Sequence, residues 1–117
     1  METTREILLA AYRDFNARRI DAVLARMQPD VAWPNRWEGG YVHGHEEVRD
    51  YWTRQWAALD PHVDPVEISA EADGRVTVMV HQVVRDRAGN LLVDTMVRHI
   101  YSLRDGLIER MEIEPAD

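Results

Sequence analysis

The chain has 117 residues, enough for one domain with a real core, and its 14 basic against 21 acidic side chains give a net charge of -7. It contains no cysteine, and every basic residue is arginine, so thiol nucleophiles, disulfides and Schiff-base lysines are excluded. An acidic balance without a dense basic cluster argues against nucleic acid and anionic membranes, and no apolar run approaches the roughly 20 residues of a membrane span, which leaves small molecules and protein partners. The acidic, amphipathic start METTREILLAAYRD has no secretory pattern, so a cytoplasmic location is expected.

In chain order, Thr3 and Glu6 fit a capping box, and Ile7, Leu8, Ala11 and Phe15 recur at helical spacing, which predicts a helix from about Thr4 to Ala17. Asp21 caps a short second helix carrying Val23, Leu24 and Met27, with Pro29 closing it. Val31, Trp33 and Asn35 then alternate as a strand that Pro34 confines to an edge or bulge, and Glu38-Gly39-Gly40 turns the chain into Tyr41-Val42-His43. Glu46 and Glu47 open a third helix with a Val48, Tyr51, Trp52, Gln55, Trp56 and Leu59 stripe, stopped by Asp60-Pro61. The rest reads as an antiparallel meander: Val63 to Ala70, Val76 to Asp86, Leu91 to Leu103 and Leu107 to Glu114, with turns at Asp73-Gly74, Ala88-Gly89-Asn90 and Asp105-Gly106. Helices segregated to one side of a curled antiparallel sheet make a single α+β domain over residues 1–117.

Function is sought first between Trp33 and His62, a segment that holds all four tryptophans beside Asn, His and Arg, as a small-molecule pocket wall requires. Trp33 and Trp37, on a strand and its loop, suit an opening, whereas Trp52 and Trp56 at i, i+4 suit the core with Trp52 at its inner wall. His43-Gly44-His45 offers no third ligand at a recognised spacing, so no metal is expected. Arg54, amid Trp52, Gln55 and Trp56, either reaches a substrate carboxylate or lies in solvent.

The run GGYVHGHEEVRDYW, followed far downstream by VRHIYSLRDGLIERMEI, resembles the NTF2-like superfamily in its SnoaL-like and ketosteroid-isomerase-like branch, over nearly the whole chain. The resemblance implies a cone-shaped α+β barrel of three N-terminal helices packed on a curved antiparallel sheet. Its members range from isomerases, cyclases and epoxide hydrolases to binding modules without activity, so the fold alone does not fix the function. Isomerases of this kind use a carboxylate base on the first strand, with a helix-one tyrosine and a protonated aspartate to hold the enolate. Matching Phe15-Asn16 and Asp21 to the family pattern puts these positions on Asn35, Ala11 and His99, with Tyr12 one residue off and rotated by about 100°. None of the three groups is retained, which argues against steroid isomerisation by that mechanism.

What replaces them is polar and faces the cavity of the resembled fold. Period two puts Val97, His99, Tyr101 and Leu103 on one face of their strand, and Gln82 is the polar member of the face carrying Val78, Val80 and Val84. His99 is then the candidate general base, with Asn35, Gln82 or Tyr101 as hydrogen-bond donors; the alternative is that Asn35, Gln82 and His99 satisfy one another in a packed core. Glu112 on the last strand is the nearest match to the acid of the cyclases. Asp94 and Arg98, which would serve an epoxide-hydrolase arrangement, share the opposite face and read instead as a structural ion pair. On that face Met79, His81, Val83, Met96 and Ile100 predict a homodimer interface. Two functions follow: a cofactor-independent isomerase, cyclase or dehydratase acting on a hydrophobic carbonyl compound, or a non-catalytic module that binds an apolar ligand.

Overall fold

The computed structural model of the chain describes residues 2–116. Helix α1 (Thr4–Asn16) begins on the expected capping box, with the Thr3 hydroxyl accepting from the Glu6 amide at 3.1 Å and the Glu6 carboxylate accepting from the Thr3 amide at 3.0 Å. It ends in a Schellman turn: the Arg18 amide donates to Phe15 and the Arg19 amide to Asp14, with Arg18 at φ 63°. A non-glycine residue is held there because the Arg18 guanidinium donates to Asp60 and to the Pro61 carbonyl and lies 5.0 Å from the Trp56 ring centre.

Helix α2 (Ile20–Leu24) is shorter than expected, because Met27 opens strand β1 (Met27–Pro34) instead of closing the helix. Helical spacing placed Met27 correctly on the buried side, but its burial comes from pairing with Ile108 on the last strand. Pro29 therefore sits inside β1, where the ladder to that strand is irregular and a missing N–H costs little. After β2 (Tyr41–His43), helix α3 (Gly44–Ala58) packs on β1, and β3 (Leu59–Ala70), β4 (Val76–Asp86), β5 (Leu91–Arg104) and β6 (Leu107–Pro115) form the meander. Strand β3 starts four residues before the expected Val63 and accommodates Pro61 and Pro65, since it is an edge strand.

The six strands form one curved, unclosed sheet in the order β2-β1-β6-β5-β4-β3, with the helices packed on it. The expected all-antiparallel sheet is corrected at one ladder: β1 runs parallel to β6, which the chain reaches only after β2, α3 and the rest of the meander. The core lies between helices and sheet, where Leu8, Val31, Val48, Trp52, Val78, Val80, Tyr101, Ile108 and Met111 are almost wholly shielded. The Trp52 ring sits between Phe15, Trp33 and Trp56, at 5.3, 5.5 and 5.7 Å between ring centres.

A buried tyrosine–histidine relay as candidate functional site

Period-two alternation along β5 turns His99 and Tyr101 inward, and α1 lays Tyr12 across them. The Tyr101 hydroxyl donates to the Tyr12 hydroxyl at 2.8 Å, and the Tyr12 hydroxyl lies 2.7 Å from His99 Nδ1. Tyr12 has one proton; with its oxygen accepting from Tyr101, that proton goes to Nδ1. In that arrangement of the phenol protons the His99 hydrogen is on Nε2; with both phenols turned the other way it is on Nδ1. His99 Nε2 has no protein partner, yet the one enclosed side-chain polar atom left without a partner among the described residues is Trp56 Nε1. Nε2 therefore opens onto the adjoining cavity, as a donor in the first arrangement and an acceptor in the second.

Burial governs the protonation of all three groups. Desolvation, with the Arg36 charge second, pushes the His99 imidazole down to about 3. Desolvation likewise pushes the Tyr12 and Tyr101 phenols well above the usual range, so the relay is neutral throughout the physiological range. The expectation that His99 titrates near neutrality is thus corrected: burial keeps its imidazole neutral and makes it a feeble base.

The cavity offers about 80 Å³ to the centre of a water molecule and is walled by Ala11, Tyr12, Phe15, Trp33, Tyr51 and Trp52 against Gln82, His99, Tyr101, Met111 and Ile113. That volume exceeds the roughly 10–15 Å³ a single water needs. Its wall is aromatic and aliphatic, broken by the polar groups of Gln55, Gln82, His99 and the tyrosines, and one charged side chain, Arg36, reaches it. No carboxylate lines it among the described residues.

Of the residues expected at a site, His99, Gln82, Trp33, Trp52 and Tyr101 meet at this cavity. Asn35 does not, and its placement at the cavity is corrected: its amide accepts from the Glu38 backbone at 2.8 Å and donates to the Glu38 carboxylate at 2.9 Å, closing the turn between β1 and β2. Trp37 is displaced by the same turn and stands 41% exposed outside the cavity. Glu112 points to the outer sheet face, since its neighbours Met111 and Ile113 face inward, and it pairs with Arg110 at 3.0 Å. Asp94 pairs with His81 at 2.7 Å, not with Arg98, whose guanidinium donates to the Pro115 carbonyl. Arg54 is taken up by Glu38 and Asp50 on the outer face of α3, and His45 contacts the Met27 carbonyl at 3.0 Å. Tyr12, Arg36 and Gln55 are cavity residues to which sequence reasoning gave no site role.

A SnoaL-like domain model matches residues 8–111. The chain belongs to the SnoaL-like family. No curated protein matches it. Among solved structures, this SnoaL-like chain is similar to an NTF2-like protein of unknown function from Burkholderia pseudomallei, at 22% identity and a TM-score of 0.83, covering 97% of this chain and 91% of that one. It is similar to TerC co-crystallised with polyporic acid, at 28% identity and a TM-score of 0.81, covering 94% and 88% of the two chains. It also shares its fold with a Mycobacterium tuberculosis protein in complex with estradiol-17β-hemisuccinate, at 19% identity and a TM-score of 0.79, covering 92% and 88%. The NTF2-like architecture expected from the sequence is therefore the one observed.

Proposed function

We propose that this SnoaL-like protein is a cofactor-independent enzyme acting on an apolar carbonyl compound, with His99 as the electrophilic group. The observation that carries the reading is a buried imidazole whose Nδ1 meets the Tyr12 hydroxyl and whose unpartnered Nε2 opens onto an aromatic cavity; on this reading the hydrogen sits on Nε2, with Tyr12 donating to Nδ1. Such a preset donor strengthens as charge develops on a carbonyl oxygen, and, held in place beforehand, costs little reorganisation. A cavity wall without a carboxylate favours, of isomerisation, dehydration and cyclisation, the one that needs no protein base. In an intramolecular aldol closure the substrate's own enol carbon bonds to the polarised carbonyl carbon. The carbonyl π bond breaks, and the enol proton passes to the new alkoxide. Gln82, Trp33, Trp52 and Tyr101 hold the chain in that geometry. The co-crystallised small molecule of the 28%-identical TerC supports a ligand-binding role for this cavity.

The test is turnover of a 1-aryl-1,3,5-triketone, followed by absorbance and mass spectrometry. Wild type should accelerate closure, His99→Gln should retain part of the rate through its amide donor, and His99→Phe should lose it by about a hundredfold, the low end of removing one oxyanion donor. Equal rates for wild type and His99→Phe would overturn the catalytic reading. The missing carboxylate also favours a second reading, a non-catalytic ligand-binding module, which tight binding of the triketone without turnover would support.

For the partners, we propose that two copies pair through the outer sheet face, where Met96 is exposed beside half-buried Met79, His81 and Val83. The patch is smaller than its expected outline, because Ile100 is buried within the protomer.

A further inference from the structure

Arg36 is the one charged side chain that reaches the cavity, and it makes no ion pair or side-chain hydrogen bond among the described residues. Acids outnumber arginines 21 to 14, and nine arginines, among them Arg18, Arg54 and Arg110, find carboxylates; of the five that do not among the described residues, Arg36 is the one at the cavity. The backbone of the loop bearing Arg36 is tied down. Asn35 ties the turn to Glu38, the Asn35 amide donates to the Gly40 carbonyl, and the Arg36 and Trp37 amides lie against the Tyr51 hydroxyl. The guanidinium is near enough to His99 for its charge to be felt at the imidazole. With the hydrogen assigned to Nε2, two donors thus converge on one space, a cation at the wall and the Nε2–H within, while no carboxylate among the described residues competes for either.

We infer that the cavity selects an anionic ligand, an apolar ring system carrying a carboxylate or enolate oxygen that sits between the Arg36 guanidinium and His99 Nε2–H. This rests on the small-molecule pocket proposed above and names its substrate class. Arg36 acts as a specificity residue: with the molecule at a net charge of -7, an anion is repelled at long range, and a local cation is what makes the pocket accept one. The partner chemistry is a delocalised anionic oxygen, which a guanidinium's planar fork recognises better than a point charge would.

The experiment compares 2-naphthoate with its neutral isostere 2-naphthamide. Affinity is read by isothermal titration calorimetry, and location by the imidazole 15N resonances of His99. Arg36 is largely exposed, so its contribution is set near that of a screened ion pair, about a fivefold effect. Wild type should bind naphthoate about fivefold or more tightly than naphthamide and shift the His99 Nε2 resonance with both. Arg36→Gln should erase the preference and leave naphthamide affinity within about twofold, with 0.5 M salt having the same effect on wild type. Naphthamide binding wild type as tightly as naphthoate, or Arg36→Gln keeping the full preference, would overturn the inference while leaving the pocket reading intact. Binding of neither compound, or binding that leaves the His99 resonances unmoved, defeats the pocket reading and this inference with it.

Discussion

Removing the Tyr12 hydroxyl tests whether the relay is wired as described. Tyr12→Phe keeps the ring that packs 5.8 Å from His99 and 6.2 Å from Tyr101, but deletes the bonds at 2.7 and 2.8 Å. Both partners are buried, so His99 Nδ1 is left as an orphan acceptor and the Tyr101 hydroxyl as an orphan donor. Each orphan costs roughly 1–3 kcal/mol, offset in part because a hydroxyl no longer has to be desolvated, for a net loss of about 2–4 kcal/mol. Tyr101→Phe is gentler: Tyr12 still donates to His99 and loses only one accepted bond, about 1 kcal/mol. For 117 residues at about 2.1 cal/mol/K each, the unfolding entropy is about 0.25 kcal/mol/K, so 1 kcal/mol moves Tm by about 4 °C. Scanning calorimetry at pH 7 should show Tm falling by about 8–16 °C for Tyr12→Phe and about 4 °C for Tyr101→Phe. A Tyr101→Phe loss as large as that of Tyr12→Phe, or a Tyr12→Phe loss under about 1 kcal/mol, would refute the central position of Tyr12.

The acid limb of stability should carry the signature of His99. Its folded pKa of about 3 lies below the unfolded 6.5, so the unfolded chain takes the proton first and stability falls as pH drops through 6.5 toward 3. Urea unfolding should lose about 2 kcal/mol between pH 7 and pH 5 in wild type relative to His99→Gln, a window above that of the carboxylates whose pKa values the fold lowers, such as Glu38, Asp73 and Asp86. Parallel pH profiles for the two proteins would contradict a buried neutral imidazole. Gly44→Ala should cost about 1–2 kcal/mol in the same assay: at φ +81° a side chain is strained, and its Cβ would lie 3.3 Å from the Pro29 carbonyl oxygen. Loss of less than about 0.5 kcal/mol would show that α3 can start elsewhere. If the outer sheet face pairs two copies, light scattering at micromolar concentration should give a dimer for wild type and a monomer for Met96→Asp; a wild-type monomer would reject that interface.

Much of the fold is legible because its boundaries are set by local chemistry. The Thr3–Glu6 box starts α1, and the Asp-Gly and Ala-Gly-Asn turns separate the strands of the meander where expected. What local pattern could not show is which partner buries a residue. Met27 is apolar at a spacing compatible with both a helix face and a strand, and only its ladder with Ile108, far away in sequence, decides for the strand. Asn35 failed as a site residue for the related reason that a strand-end asparagine faces two demands. The turn took it, since Asn side chains readily satisfy backbone amides nearby.

Tyr12 shows the limit of carrying a family position over by offset. The family match falls on Ala11, with Tyr12 one residue on and rotated by about 100°. The inner face of an amphipathic helix is itself about that wide. Ala11 and Tyr12 both line the cavity, Ala11 leaving space and Tyr12 filling its edge with a phenol long enough to reach β5. The helix-one tyrosine is therefore present at a neighbouring position, and what it meets on β5 is an imidazole instead of a carboxyl group. The exchange changes the chemistry the proposal relies on: a protonated carboxyl offers its proton to a substrate only while it stays neutral, whereas His99, with Tyr12 donating to Nδ1, would present Nε2–H without ionising. Under the proposed function, a donor of that kind calls for an acidic or self-enolising substrate, since the cavity wall supplies no carboxylate among the described residues to take a carbon-bound proton.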